Sequence, residues 1–198
     1  IAFNLSAQKI EWGTKNKAKD KWYNPHIIME DGESVYTTYF DDDNIVIEKH
    51  NNKGGVVYSN PVKLEKINNE KAQIEYITYL TDRFVLFVSC YDDTNEKAVL
   101  YALLYSGKTG KQIGKEKKLF DAPVDKKKRK GSFYIFVSKD QSKVLVNHYA
   151  SYKAEGKFKD RYKLFDNEMN TLMEKTEVIV KAEKDYDTYN YIIDNDGS

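Results

Sequence analysis

The chain has little of several residue types and patterns that define common protein classes. Its 198 residues include one Cys, three Pro and ten Gly. A single cysteine excludes disulfide bridges within the chain and leaves the redox compartment open. The low Pro and Gly content excludes collagen-like and low-complexity disordered classes. No apolar run reaches the roughly 18 residues of a membrane-spanning helix, so we expect no membrane span.

The chain also lacks an excess of charge of either sign. Its 32 Lys and Arg residues nearly balance 31 Asp and Glu, leaving a net charge of +1, so no global field steers it toward nucleic acid. The only arginines are Arg83, Arg129 and Arg161, which gives few of the planar groups that bind phosphate with two hydrogen bonds. We therefore expect no nucleic-acid partner, and any electrostatic binding must be local.

Signatures of catalysis and of metal binding are missing as well. The sequence contains no Gly-x-Ser-x-Gly motif of the kind that presents a nucleophilic serine. His26, His50 and His148 lie in different segments without zinc-type spacing, and Cys90 stands alone within an apolar run. Buried thiols in such runs are usually inert. Since none of these three signatures is present, we expect no catalytic residue, no metal and no cofactor.

What the chain does contain is a repeated pattern of strands and turns. An apolar strand ends in an acidic residue and a tight turn, a second strand follows, and a third runs into another tight turn. Copies span Ile27 to Gly54, Ile77 to Gly110 and Phe133 to Asn170, and a fourth opens at Tyr191. The period of roughly 50 residues lies in the range of propeller blades and exceeds that of most helical repeats.

Each copy predicts an antiparallel meander of four strands. The fold class is therefore all-β, a β-propeller or propeller fragment with three complete blades and one split between the two termini. The approximate blades are 22–64, 73–120 and 132–180, with 1–14 and 186–198 as partial blades of a single region. Residues 63–72 are the one segment with some helical spacing, and we assign them to an outer strand plus a loop.

Two motifs carry a resemblance to known repeats. The hairpin Val137 to Val146 resembles the "S-x-D-x-x-K-hydrophobic" pattern of WD40-like and bacterial PD40-type propeller blades, and Tyr162 to Asp166 and Tyr101 to Gly110 resemble their third strands. The Trp-Asp and Gly-His pairs of true WD40 repeats are absent, so the hydrogen-bonded tetrad of that family is not carried over. The resemblance implies a propeller, often joined to other domains, but not a function.

Propeller topology predicts which loops share a face. Loops that lead from one blade to the next lie on the same side as loops between the second and third strands. The acidic loops, a loop expected at 154–160 and a basic block are therefore predicted to share one face. Repeated aromatic residues in the inter-blade loops would add anchors for a partner, although loop tethering explains them equally well. The candidate binding residues are Trp22, Tyr23, Asp41, Asp42, Asp43, Asp92, Asp93, Lys126, Lys127, Lys128, Arg129, Lys130 and Tyr186.

The leading functional hypothesis is a non-catalytic scaffold that binds a protein or a glycan through this loop face. The resemblance favours a part of a larger secreted, periplasmic or envelope-associated protein. The alternative is a glycoside-processing enzyme with carboxylates at the mouth of a central channel. Two facing carboxylates about 5 to 10 Å apart would favour the enzyme, and a face with aromatic anchors and no such pair would favour the scaffold.

Overall fold

The protein is an all-β molecule. The computed structural model describes residues 22–41, 44–64, 66–67, 70–124, 126–152, 157–179 and 193–197. These residues form twelve β-strands in three sheets and one short 3₁₀ helix, with no α-helix. Nothing helical in the described ranges has the length and apolarity needed to cross a membrane.

The chain divides into two compact units, Ile1–Lys63 and Leu64–Ser198. The first unit holds a sheet of β1 (Trp22–Glu30), β2 (Ser34–Asp41), β3 (Asn44–Asn51) and β4 (Val56–Val62). The second unit holds two sheets. One consists of β5 (Gln73–Leu80), β6 (Arg83–Asp92), β7 (Lys97–Ser106) and β8 (Gln112–Pro123), and the other of β9 (Ser132–Val137), β10 (Lys143–Tyr152), β11 (Lys157–Asp166) and β12 (Thr171–Ile179).

All three sheets are antiparallel meanders in which the strands lie side by side in chain order. The predicted all-β class with units of four strands is therefore confirmed. The sequence pattern places the start of the first strand at Pro25 and that of the third copy's third strand at Tyr162. These are the two strand starts that differ most from the structure, since β1 begins at Trp22 and β11 at Lys157. The described part of segment 63–72 contains an isolated bridge between Ile67 and Glu70 and no helix.

The acidic residues at the strand ends stabilise the tight turns. Asp31 Oδ1 accepts hydrogen bonds from the backbone N–H groups of Glu33 and Ser34 at 3.0 and 2.7 Å. Asp166 Oδ1 does the same for Glu168 and Asn170 at 2.9 and 2.8 Å. Side chains of this length bond readily to the backbone two to four residues further on, which explains why Asp stands before these two turns.

A shared hydrophobic core joins the two sheets of the second unit. Val85 and Phe87 of β6 and Leu100 of β7 pack with Val144 and Val146 of β10, and all five are fully buried. The residues on one face of a strand alternate with those on the other, so these side chains form the contact face of each sheet. Neither sheet would be stable alone, and this contact makes them one structural unit.

Strand β6 of the second sheet is buried on both of its faces. Phe84, Leu86 and Val88, which alternate with the core residues of β6, also have no exposed surface. Antiparallel sheets commonly leave one face to solvent, whereas a continuous apolar strand indicates burial of both. The run that the sequence presents from Phe84 to Cys90 is therefore a strand covered on both sides.

Polar contacts tie the hairpin turns of the two sheets together at one end of the unit. The backbone N–H of Thr81 donates to Gln141 Oε1 at 3.3 Å, and Arg83 forms an ion pair with Glu168 at 3.2 Å. In the same way, the backbone N–H of Asp140 donates to Asn195 Oδ1 at 3.2 Å. The turn that contains Asn195 therefore contacts the turn between β9 and β10. The contact has the same form as the one between the turn after β5 and the turn after β9.

Truncating a leucine in the shared core should destabilise the protein strongly. Leu100→Ala removes a fully buried side chain and should lower the free energy of unfolding by about 2 to 5 kcal/mol. The matched control Leu172→Ala, at a side chain that is 51% exposed, should change it by less than about 0.5 kcal/mol. Urea unfolding measures both, and equal effects would mean that the core does not lie between these sheets.

Candidate functional site

One end of the second unit collects the segments that the sequence marks as chemically interesting. In an antiparallel meander the start of β5, the end of β6, the start of β7 and the end of β8 all lie at the same end. The turn between β6 and β7 therefore meets the link from β8 to β9. This link contains the 3₁₀ helix η1 (Lys127–Arg129), which belongs to the predicted basic block.

A mixed-charge cluster of Glu70, Tyr91, Asp93 and Lys127 lies at this end. Lys127 Nζ forms ion pairs with Glu70 Oε2 at 3.2 Å and with Asp93 Oδ2 at 3.4 Å. It also lies 5.8 Å from the centre of the Tyr91 ring, within the range of a cation–π contact. The hydrogen bond from Lys127 to Glu70 contributes most to raising the pKa of Lys127. Asp93 of an acidic loop and Lys127 of the basic block are therefore in contact.

Asp92, also predicted to bind a partner, serves the turn instead. Its Oδ1 accepts from the N–H groups of Thr94 and Asn95 at 3.1 and 3.0 Å, and its Oδ2 accepts from the Asn95 amide at 2.8 Å. These bonds, led by the one from the Asn95 side chain, lower the pKa of Asp92. Asp92 shapes the loop that presents Asp93.

Beside the cluster lies a basic pocket of about 470 Å³, lined in part by Lys71, Gln73, Tyr91, Lys127 and Lys130. Lys130 Nζ donates a hydrogen bond to Gln73 Oε1 at 2.9 Å. The wall also includes Cys90, a buried thiol whose pKa is raised by desolvation. A thiol in this state is protonated at neutral pH and is a poor nucleophile.

A buried histidine anchors the basic turn to the core. His148 of β10 has no exposed surface, and its Nε2 hydrogen-bonds to the carbonyl oxygen of Lys130 at 2.8 Å. The centre of its ring lies 4.6 Å from the centre of the Phe133 ring and 6.0 Å from the centre of the Phe120 ring. Its Nδ1 has no hydrogen-bond partner among the described residues. The backbone of the turn is therefore fixed by a side chain that belongs to the interface between the sheets.

Gly131 makes the close approach of this turn possible. Its φ of +77° is one that residues with a side chain rarely adopt. A Cβ at this position would overlap the carbonyl oxygen of Tyr149 in β10. The turn thus lies directly against the third sheet, and glycine is the residue that permits it.

Three other predicted binding residues, Trp22, Tyr23 and Asp41, belong to the first sheet. Trp22 and Tyr23 were expected in an inter-blade loop, but they belong to β1, opposite Asp41 and Phe40 of β2. The loop assignment is therefore wrong, because strand pairing continues past Pro25 with a shift of register. Asp41 ends β2. Asp42, Asp43 and Tyr186 lie outside the described residues.

Residues 154–160 were expected to form a loop on the same face. Lys157–Asp160 instead belong to β11, and 153–156 lie outside the described residues. Asp160 is buried, and its carboxylate accepts hydrogen bonds from the Asn147 amide and from the Tyr162 hydroxyl, the latter at 2.6 Å. These bonds satisfy the buried carboxylate of Asp160, so the polar residues before Tyr162 can belong to β11.

Sequence reasoning missed Glu70, Lys71 and Gln73. Glu70 and Lys71 lie between the first and second sheets, in a stretch that carries no motif, and Gln73 begins β5. These residues lie at the site because β5 begins, and β6 ends, at the same end of the sheet. Only the pairing of β5 with β6 would have indicated this proximity.

The first unit contains a second polar cluster of Thr37, Tyr39, Glu48 and His50. Glu48 is buried and accepts a hydrogen bond from the Tyr39 hydroxyl at 3.0 Å, while its other oxygen lies 3.1 Å from His50 Nε2. Thr37 Oγ1 lies 3.2 Å from the same nitrogen. A catalytic triad needs the acid and the nucleophile on opposite nitrogens of the imidazole. This cluster therefore lacks triad geometry and is read as a network that satisfies a buried carboxylate.

Glu70 and Asp93 are a carboxylate pair that a shared partner, Lys127, brings together, as Arg83 does for Asp82 and Glu168 elsewhere in the second unit. Both contact Lys127 Nζ, so their oxygens are compatible with the roughly 5 to 9.5 Å separations of glycosidase acids. A glycosidase acid, however, is kept protonated by an apolar pocket. Here an ammonium group lies between the two carboxylates, and the side chain of Asp93 is 59% exposed. The pair is suited to holding Lys127 in place.

The described residues contain no group of three or more His, Cys, Asp or Glu side chains that converge as metal ligands do. Neither the models of known families, nor the curated proteins, nor the solved structures give a match to this chain. The resemblance to WD40-like and PD40-type repeats therefore stays a prediction. Function is inferred from the site alone.

The buried histidine should make stability depend on pH in a defined window. Burial lowers the pKa of His148 to about 4, from about 6.5 in an unfolded chain. Above pH 6.5 the ring is neutral in both states, whereas between pH 6.5 and 4 only the unfolded chain binds the proton. The free energy of unfolding should therefore fall across this window by on the order of 3 kcal/mol.

The variant His148→Gln, which does not titrate but keeps a donor for Lys130, isolates this contribution. Urea unfolding at pH 7, 5.5 and 4.5 should give a shallower decline for the variant than for the original protein. Parallel curves would show that His148 is not buried in its neutral form.

Proposed function

We propose that this chain is a recognition scaffold that binds a protein or a glycan through the end of the second unit that carries Asp93 and residues Lys126–Lys130. The main support is the mixed-charge cluster, in which Lys127 contacts two carboxylates and an aromatic ring. The basic turn is held by the core through His148 and Gly131. A surface whose charges are positioned before binding loses less entropy when a partner arrives.

Binding fits the described chemistry of this end better than catalysis does. The nucleophile candidate in the pocket, Cys90, is buried with a raised pKa. The carboxylates of Glu70 and Asp93 are both ion-paired with Lys127, which favours their ionised form and opposes a role as a proton donor. The glycoside-processing alternative therefore receives no support from a specific feature of this site.

For the architecture, we infer a β-propeller-type stack of blades. Three observations support it: the first strands of neighbouring sheets, β5 and β9, contact each other; the turn after β5 bonds to the turn after β9; and the turn of the fourth repeat bonds to the turn after β9 in the same manner. Equivalent contacts repeated from unit to unit are what radial repetition produces.

Distances between three turns test the radial arrangement. Spin labels are placed in pairs on Asp82, Lys139 and Asn195, which belong to consecutive repeats, and Cys90→Ala removes the native thiol. In a ring of four to eight blades the distance across two steps should be about 1.4 to 1.9 times that of one step. Electron paramagnetic resonance gives the distances. A two-step distance equal to the two single steps together would indicate a linear stack.

The binding face is tested by two charge-matched double variants. Lys126→Gln with Lys128→Gln changes the proposed face, and Lys108→Gln with Lys139→Gln removes the same charge from exposed turns at the opposite end. The probes are an immobilised glycan array and a displayed random-peptide library. We expect binding to fall at least about tenfold for the first variant, a change of about 1.4 kcal/mol, and less than about twofold for the second.

Two results would contradict this function. Equal losses for both variants would mean that the face is not the binding surface, and release of sugar from any glycan on the array would favour the enzyme. Circular dichroism of both variants controls for folding.

A further inference from the structure

The basic pocket has the size and lining of a small-molecule site. Its volume of about 470 Å³ falls within the roughly 300 to 1,000 Å³ typical of ligand pockets. The wall combines apolar surface from Leu64, Ile74 and Tyr91 with polar groups from Lys71, Gln73 and Lys130. Such a mixture accommodates the body of a ligand on the apolar side and fixes its orientation through a few polar contacts.

The charges of the pocket are not balanced. Lys127 is paired with Glu70, which also lines the pocket, and with Asp93. Within the described part of the chain, the Lys130 ammonium group bonds only to the uncharged amide of Gln73, and Lys71 forms no ion pair. Three ammonium groups therefore stand against two carboxylates, which leaves one positive charge in excess. A ligand that carries a negative charge would balance this excess.

The pocket is prepared for such a ligand before it binds. The carbonyl oxygen of Lys130 accepts a hydrogen bond from buried His148, and its N–H donates to the carbonyl oxygen of Lys127 at 3.2 Å. The Lys130 side chain is held by Gln73 at 2.9 Å. Holding a cationic side chain in one place lowers the entropy lost on binding.

We infer that this pocket binds a small ligand that carries an oxyanion, either the carboxylate of a sugar acid or a phosphate group. The oxyanion contacts Lys130 and Lys71, and the remainder of the ligand lies on the apolar wall beside Tyr91. The inference rests on the proposed function and names the ligand chemistry of the same end.

The test is a titration followed by nuclear magnetic resonance, with glucuronate, inorganic phosphate and uncharged glucose as probes. Glucuronate or phosphate should bind saturably and shift the signals of Gln73, Lys130 and Gly131, whereas glucose should not. Lys130→Gln should weaken the binding of the anion at least tenfold, and the control Lys108→Gln, at the opposite end, should leave it unchanged. If one anion binds at least tenfold more tightly than the other, the oxyanion of the ligand is assigned to that class, either the carboxylate of a sugar acid or a phosphate group.

Three outcomes would overturn the inference: neither anion binds saturably, glucose binds as tightly as glucuronate, or Lys130→Gln binds like the original protein. The wider proposal can fail separately. If the anions bind but the array and library signals do not depend on Lys126 and Lys128, the scaffold function fails while the pocket stands. If those signals depend on the face but neither anion binds, the pocket assignment fails while the scaffold stands.

Discussion

A four-stranded antiparallel sheet has two faces and cannot bury both by itself. Hydrophobic side chains alternate between these faces along each strand, and a small isolated sheet has too little core to be stable. In this protein the second sheet solves the problem by burying both faces of β6, one of them against the third sheet. The remaining features of the second unit depend on this packing of one sheet on another.

The packing between sheets also positions the site. Phe120 of the second sheet and Phe133 of the third enclose His148, with the ring centres of the two phenylalanines 5.8 Å apart. From this interface His148 reaches the carbonyl oxygen of Lys130. A buried polar atom without a hydrogen bond is costly, and one imidazole nitrogen bears that cost while the other fixes the turn. The core and the proposed binding surface are thus connected through the His148 side chain.

The strands and turns were predictable from the sequence because the information is local. An Asp such as Asp31 or Asp166 bonds to the backbone within four residues of itself, and the apolar run of β6 reads directly as a buried strand. The two boundary errors arose where pairing with a partner strand overrides local composition. Pro25 lacks an N–H, yet a register shift lets β1 continue through Tyr23.

The site was only partly predictable, since it depends on contacts that are distant in sequence. The charges of Asp93 and Lys127 stood out, and the order of strands in a meander was enough to expect them at one end. Glu70 and Gln73 carry no motif, and their contacts with Lys127 and Lys130 follow from where β5 begins. Equally, nothing in the sequence distinguished Asp92, which caps a turn, from Asp93, which contacts the lysine.

Native-state hydrogen exchange tests the central claim that the second and third sheets form one cooperative structure. If β6 and β10 share a core, their slowest-exchanging amides should open with the same free energy and the same dependence on denaturant. Leu86 and Val146 represent the two strands, and both are fully buried. Two clearly separated opening free energies, with one sheet unfolding while the other stays protected, would contradict the account.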